Sequence, residues 1–242
     1  MKSVVVEPNS PGRLTISEVP APIPDTTDVV VRVHAFSLNR GEVKRAESMA
    51  AGTQLGWDFA GTVAQAARDG TGPTLGQRVV GFSRRLQGWA EFVPVPARDV
   101  AVIPDGVTDS DAATLPVAGL TALYALERCN RLLASRILVT GATGGVGYFA
   151  CQLASLIGAQ VVAQVRRPEQ VDVVRTLGVE PLVTETGEGV SDRQKFSAII
   201  DGIGGFATGR FSTPEEVATL ITLLASERTA NITGRTTPST AA

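Results

Sequence analysis

The chain has 242 residues, of which 43% are hydrophobic and 19% are charged. This content is enough to build a packed core and excludes a globally disordered chain. The 22 basic and 24 acidic side chains give a net charge of −2. A weakly acidic chain does not favour nucleic acid or an anionic membrane as a partner. No stretch approaches the ~18 apolar residues of a membrane-spanning helix, so we expect no membrane span.

The cysteine and histidine content restricts the chemistry further. The chain contains two cysteines, Cys129 and Cys151, and one histidine, His34. Two cysteines cannot form a disulfide framework, and a structural zinc site usually needs four Cys or His ligands. We therefore expect no metal site and a reducing, cytoplasmic setting. Because His34 lies in an alternating stretch typical of a strand, we interpret it as an ordinary polar strand residue.

The first part of the chain has the pattern of a β-rich unit. Short apolar runs alternate with turns rich in glycine and proline, which is typical of strands joined by tight connections. The predicted domain covers residues 1–108. Its candidate strands are residues 4–6, 14–16, 29–35, 61–64, 78–82 and 90–95.

From residue 109 the pattern changes to alternating helices and strands. Nearly continuous apolar strands that alternate with helices predict a parallel sheet with helices on both faces, in an α/β fold. We place this second domain at residues 109–205. Its predicted helices are residues 110–115, 116–128, 146–157 and 169–177, and its predicted strands are residues 136–140, 160–165, 181–184 and 196–200.

A glycine-rich turn between the first of these strands and the following helix is the strongest chemical signal. A strand that turns through glycines into a helix presents backbone N–H groups and a positive helix end, which suit a pyrophosphate. The turn has the glycine spacing of dinucleotide-binding folds, in which small residues allow close backbone approach. A tight turn without a ligand is the ordinary alternative. The candidate cofactor-binding residues here are Ala142, Thr143, Gly144, Gly145, Val146 and Gly147.

The end of the second strand indicates which dinucleotide binds. An NAD site usually has an Asp or Glu there to hold the ribose hydroxyls. This chain has Arg166 and Arg167 instead, and its first carboxylate is Glu169. Two guanidinium groups suit a 2′-phosphate, so we favour NADPH over NADH as the cofactor. The alternative is that both arginines are only solvated surface residues.

With these features in order, the chain resembles the zinc-free quinone oxidoreductase branch of the medium-chain dehydrogenase/reductase superfamily over about residues 1–205. The resemblance implies a GroES-like β-rich domain followed by an incomplete Rossmann-type sheet. It rests on several short motifs and the glycine turn. The motifs are Val31–Gly41, Gly56-Trp57-Asp58-Phe59-Ala60-Gly61, Gly76–Gly81, Gly88–Phe92 and Leu115–Ala122.

The resemblance also implies a substrate class and site residues. Zinc alcohol dehydrogenases of the superfamily carry Cys where this chain has Asn39, and Gly-His-Glu where it has Gly56, Trp57 and Asp58. Without a metal to polarise an alcohol, hydride transfer to an electron-poor small molecule such as a quinone or α,β-unsaturated carbonyl remains feasible. By motif match, Asn39 is the candidate catalytic residue and lines the substrate pocket with Trp57 and Asp58, and Thr121 lies near the nicotinamide.

Each of these residues also has an ordinary interpretation. Asn39 could be a turn residue, Trp57 a core residue, Asp58 a cap and Thr121 a helix hydroxyl. The sequence names no obligatory acid–base pair.

Residues 206–242 depart from this family and resemble the C-terminal helical stretch of short-chain dehydrogenase/reductases. The strand through which the superfamily commonly dimerises has no counterpart, so a homodimer by that route is in doubt. Two features argue against a short-chain dehydrogenase. That family has its glycine turn near the N-terminus, and it needs Tyr-x-x-x-Lys, whereas the residues four positions after Tyr124 and Tyr148 are Arg128 and Gln152. The remaining alternative is an NADPH-binding protein without turnover, because part of the nicotinamide half is missing.

Overall fold

A computed structural model describes residues 1–129, 131–184 and 196–201, and the predicted segment 206–242 lies outside them. The described residues form two compact units that divide between Val117 and Ala118. The sequence places a domain boundary earlier, after residue 108. The reason for the difference is that Asp109 is bound to Arg78 of the first unit, which keeps the helix that follows with that unit.

The first unit is built from two antiparallel sheets. Strands β1 (Lys2–Val6) and β2 (Leu14–Glu18) form a hairpin-like pair. Five further strands form one sheet in the order β6-β3-β4-β5-β7. These strands are β3 (Asp28–Ala35), β4 (Asp58–Gln65), β5 (Arg78–Phe82), β6 (Phe92–Pro96) and β7 (Val100–Val102). Two helices accompany them, α1 (Arg40–Ala46) and α2 (Asp109–Ala113).

One apolar cluster of this unit packs on the five-stranded sheet. Val29 and Val31 of β3 belong to it and are fully buried, and Val30 between them is buried as well. Phe59 and Val63 of β4 join the same apolar cluster. Gly61 lies between them, and a Cβ there would come within 1.9 Å of the Arg32 carbonyl oxygen, so close pairing of β3 and β4 requires glycine.

The second unit holds a four-stranded parallel sheet in the order β10-β9-β8-β11. Ile137, Leu138 and Val139 of β8 are consecutive and all buried, as expected for a strand covered on both faces. The strands are β8 (Arg136–Thr140), β9 (Gln160–Val165), β10 (Glu180–Val183) and β11 (Ala198–Asp201). The helices are α3 (Leu120–Glu127), α4 (Gly145–Leu156) and α5 (Val171–Arg175).

The predicted α/β class, with an antiparallel sheet followed by a parallel sheet, is confirmed. The order of the parallel strands brings their carboxyl ends to one edge. Strand β8 has β9 on one side and β11 on the other, so the chain changes direction across the sheet next to β8. Open α/β sheets bind ligands at such a switch point, beyond the carboxyl ends of the strands.

Among residues 1–129, 131–184 and 196–201, every helix is too short or too polar to cross a lipid bilayer.

Candidate functional site

The predicted pocket residues Asn39 and Asp58 lie together in the first unit. Asn39 ends the loop after β3 and is the N-cap of α1, and Asp58 begins β4. The Asn39 Nδ2 atom donates to Asp58 Oδ2 over 2.8 Å. Ser37 Oγ donates to the same oxygen, and the backbone N–H of Val117 donates to Asp58 Oδ1 over 3.0 Å. Three donors therefore converge on one carboxyl group.

Burial controls the charge of Asp58. The side chain is 0% exposed, and loss of solvent raises its pKa from 3.8 to about 7. Its three hydrogen bonds lower the pKa and the nearby Glu42 carboxyl raises it, but desolvation is the largest effect. Asp58 therefore changes charge near neutral pH, in contrast to an exposed aspartate.

Glu42 is a second buried carboxyl group, and the predictions from sequence do not include it. Its Oε2 accepts the backbone N–H of Asn39 over 2.7 Å, and its Oε1 accepts the backbone N–H of Trp57. Burial raises the pKa of Glu42, and these hydrogen bonds oppose the rise. A signal was present, because Asn39 followed three residues later by Glu42 is the spacing of a capping box. We call Ser37, Asn39, Glu42 and Asp58 the carboxyl cluster.

Trp57 borders the carboxyl cluster without being fully buried. Its ring stacks on that of Phe82, with centroids 6.3 Å apart, and the Arg45 guanidinium lies 5.6 Å from its centroid. Gly41 lies beneath the indole, because a Cβ there would be 3.3 Å from the ring. The ring of the half-buried Trp57 thus contacts Phe82, Arg45 and Gly41, and its backbone N–H donates to Glu42.

His34, the only histidine, is a strand residue of β3 as the sequence predicts. Its Nδ1 lies 2.8 Å from Asp109 Oδ2, and Arg78 binds the other oxygen of Asp109 through Nε and one terminal nitrogen. These contacts fasten the start of α2 to the five-stranded sheet. Within the described ranges, no group of three or more His, Cys, Asp or Glu side chains is arranged to hold a metal ion.

The glycine turn lies in the second unit at the carboxyl end of β8. Gly141 has a φ of 59°, and Gly144 is the N-cap of α4 in an extended conformation. Gly144 and Gly145 are exposed, and no side chain of the described residues caps this helix end. The first N–H groups of α4 therefore remain available, and an anion is the ligand that a helix N-terminus favours.

Gly147 has a different role in the turn. A Cβ there would lie 2.3 Å from the Gly141 carbonyl oxygen, which no side chain tolerates. The first turn of α4 packs directly on the backbone of the glycine turn. The glycine spacing thus reflects both an exposed helix end and a close backbone contact.

Arg166 and Arg167 follow β9, and both are exposed. Neither guanidinium forms an ion pair with any residue that the structure describes. The backbone N–H groups of both arginines donate to Gln170 Oε1, over 3.1 and 3.2 Å. Gln170 Nε2 in turn donates to Thr143 Oγ1 over 3.0 Å, so the two predicted cofactor segments are adjacent. Gln170 is a residue that the sequence did not indicate.

Thr121 is half-buried near the start of α3, and this helix packs against α4. Ala118 lies just before α3, and a Cβ on Gly145 would be 3.3 Å from its Cβ. All predicted cofactor residues therefore belong to the second unit, and the carboxyl cluster with Trp57 belongs to the first. The roles of these residues remain predictions.

Residues 25–105 match the family model of the alcohol dehydrogenase GroES-like domain. The match lies within the β-rich unit. The chain is also 38% identical, over 128 residues, to a mycocerosic acid synthase-like polyketide synthase of Mycobacterium tuberculosis. The match covers 52% of this chain but only 6% of that protein.

Solved structures of a quinone oxidoreductase and of an enoyl reductase have a similar fold. The quinone oxidoreductase of Coxiella burnetii aligns with a TM-score of 0.83 and 23% identity, over 93% of this chain and 87% of that one. CurK enoyl reductase aligns with a TM-score of 0.68 and 25% identity, over 76% of this chain and 60% of that one. The first similarity shows the fold only.

Proposed function

We propose that this chain, whose first unit contains an alcohol dehydrogenase GroES-like domain, is an NADPH-dependent oxidoreductase. Its acceptor is a quinone or an α,β-unsaturated carbonyl compound, and it needs no zinc. The observation that carries this proposal is the exposed glycine turn, with its uncapped helix end among the described residues, beside two exposed arginines. This is the arrangement that a phosphorylated dinucleotide requires.

The residues at this edge fit the cofactor. The N–H groups at the start of α4 would hold the pyrophosphate, where Gly144 and Gly145 leave the backbone open. Arg166 and Arg167 would hold the 2′-phosphate, because guanidinium groups bind phosphate oxygens in pairs. When bound, NADPH supplies a hydride for the acceptor.

The carboxyl cluster supports a zinc-free reaction. A zinc site is built from Cys, His and carboxylate ligands, and here an amide, Asn39, and an indole, Trp57, stand where the zinc alcohol dehydrogenases carry Cys and His. The remaining carboxyl group, Asp58, is already bound by three protein donors. An electron-poor acceptor is reduced without a Lewis acid, which fits this donor set.

Asn39 is the residue best placed to orient an acceptor. One N–H of its amide is held by Asp58, which fixes the side chain. Ser37 Oγ lies 3.4 Å from the same nitrogen and close to Asp58 Oδ2, so both acceptors face one N–H, and the second N–H has no acceptor among the described residues. The half-buried amide can therefore donate to the carbonyl oxygen of an acceptor, on which negative charge develops during reduction.

Turnover tests this function directly. The purified chain is incubated with NADPH and either 9,10-phenanthrenequinone or a short enoyl thioester, and NADPH absorbance is followed. We expect oxidation with at least one acceptor, and the similarity to a polyketide synthase and an enoyl reductase favours the thioester. Binding of NADPH without oxidation by either acceptor would support the non-catalytic alternative and overturn the proposal.

A second experiment tests the choice of cofactor. Arg166→Ala with Arg167→Ala removes both guanidinium groups, and each charge-assisted hydrogen bond contributes about 1.5–3 kcal/mol. We expect the Kd for NADPH to rise at least ~10-fold and the Kd for NADH to change less than ~2-fold. Arg175→Ala, on the exposed face of α5, is the matched control and leaves both affinities unchanged. An equal loss for both cofactors would refute a 2′-phosphate site.

A further inference from the structure

Gln170 uses both ends of its side-chain amide to join two segments of the second unit. Its Oε1 accepts the backbone N–H groups of Arg166 and Arg167, and its Nε2 donates to Thr143 Oγ1. The oxygen of the amide accepts and its nitrogen donates. Neither a flipped amide nor a hydrocarbon side chain can therefore form these three hydrogen bonds. The side chain is half-buried, in contact with the loop it holds.

A second connection joins the same two segments through the backbone. The N–H of Ala142 donates to the Gln164 carbonyl oxygen over 3.3 Å, and buried Gln164 donates through Nε2 to the Thr184 carbonyl oxygen over 2.7 Å. The glycine turn and the end of β9 are thus attached at two places. The backbone contact fixes the strand end, and the Gln170 contact fixes the loop that carries the arginines.

The hydrogen bonds to Gln170 also determine how this loop can recognise a phosphate. The N–H groups of Arg166 and Arg167 are occupied by Gln170, so they are not available to a ligand. Recognition therefore depends on the guanidinium groups. Gln170 is neutral, whereas a carboxylate at this position would place a negative charge beside the phosphate.

From these contacts we propose that Gln170 is the positioning residue that sets cofactor choice. It holds the loop so that Arg166 and Arg167 meet the 2′-phosphate while the glycine turn, through Thr143, meets the pyrophosphate. This inference rests on the proposed function, because it presumes that NADPH is the cofactor. Gln170 itself contacts no phosphate, and its effect is transmitted through the segments it joins.

The test uses the full chain and measures the ratio of the Kd for NADH to the Kd for NADPH by titration calorimetry. Gln170→Met keeps the length of the side chain and removes all its hydrogen bonds. We expect the ratio to fall about 5- to 10-fold, mainly because NADPH binds more weakly. Gln160→Met, at the exposed start of β9, is the matched control, and its ratio equals that of the wild type.

A double-variant cycle separates positioning from general destabilisation. Thr143→Val removes only the hydrogen bond between Gln170 Nε2 and Thr143 Oγ1. We therefore expect it to lower the ratio less than Gln170→Met does. Combining it with Gln170→Met should lower the ratio no further than Gln170→Met alone, since the residues act as one connection. If Gln170→Met weakens the binding of NADPH and NADH equally, the inference is overturned, whether or not thermal stability also falls.

The outcomes also distinguish this inference from the proposed function. If the wild type prefers NADPH and loses that preference in Arg166→Ala with Arg167→Ala, but keeps it in Gln170→Met, only the role of Gln170 is refuted. If the wild type does not prefer NADPH, both fail.

Discussion

At the residue scale, the charge of Asp58 is the feature with the clearest physical consequence. Its pKa is about 7 in the folded chain against 3.8 for the ordinary group. Between these values the folded state keeps a proton that the unfolded state has lost. The free energy of unfolding therefore falls as pH rises through this window, by about 1.4 kcal/mol for each pH unit, and is lowest above pH 7.

Asp58→Asn tests this sign. The amide does not titrate, so the variant loses the contribution of Asp58 and keeps those of the other titrating groups, among them Glu42, whose pKa is also raised by burial. We expect wild-type stability to fall by about 2–3 kcal/mol between pH 5 and pH 7, and the variant to lose much less. Urea unfolding at pH 5, 6, 7 and 8 measures this. Asp105→Asn, at an exposed position, should follow the wild type, and parallel curves for wild type and Asp58→Asn would contradict the prediction.

Sequence reasoning reached some of these residues and not others for identifiable reasons. Asn39 and Asp58 are found from motifs. Glu42 is not predicted, although its spacing to Asn39 is the local pattern of a capping box. Gln170 could not be found in this way. Its partner Thr143 is 27 positions away in the chain, and only the folded loop brings them together.

At the scale of elements, the glycine turn depends on one backbone contact. Gly147 and Gly145 lie in the first turn of the same helix, but a Cβ on Gly147 meets the Gly141 backbone at 2.3 Å, whereas one on Gly145 meets only the Ala118 side chain at 3.3 Å. We expect Gly147→Ala to cost about 1–3 kcal/mol, as overpacking does. Gly145→Ala should stay within about 1 kcal/mol of the wild type, because alanine favours the helix.

Thermal unfolding followed by circular dichroism compares these two variants. For a chain of 242 residues, a loss of 1 kcal/mol lowers the midpoint of unfolding by about 2–4 °C, so the difference is measurable. Equal midpoints for Gly147→Ala and Gly145→Ala would contradict the prediction, because they would mean that α4 shifts away from the glycine turn with little loss of free energy of unfolding.

Continuous apolar strands of the parallel sheet are predictable from sequence, whereas helix α1 and strand β7 are not. Strands β8 and β9 are buried runs whose composition alone indicates them. Helix α1 has seven residues and β7 has three, so neither is long enough to show a period. The predicted helix over residues 116–128 begins instead with a π-helical turn at Leu115–Gly119, since Pro116 has no N–H for regular helical bonding.

At the scale of the whole molecule, the two units carry different parts of the proposed reaction. The carboxyl cluster, with Asn39, belongs to the first unit, and the glycine turn and both arginines belong to the second. Each set is organised by hydrogen bonds inside its own unit, Asn39 by Asp58 and the arginine loop by Gln170. We therefore expect acceptor and cofactor recognition to be separable by mutation.

Asn39→Ser is the variant that tests this separation. Serine caps a helix about as well as asparagine, so α1 is retained while the amide donor is lost. We expect kcat/KM for the acceptor to fall about 10-fold, the effect of one hydrogen bond of about 1.4 kcal/mol, with the Kd for NADPH unchanged. Arg166→Ala with Arg167→Ala should do the reverse, raising the Kd for NADPH while kcat at saturating NADPH stays within about 2-fold. Steady-state kinetics and titration of the same preparations give both quantities. If the Kd for NADPH rises in Asn39→Ser as much as in the arginine variant, acceptor recognition and cofactor recognition are not separable.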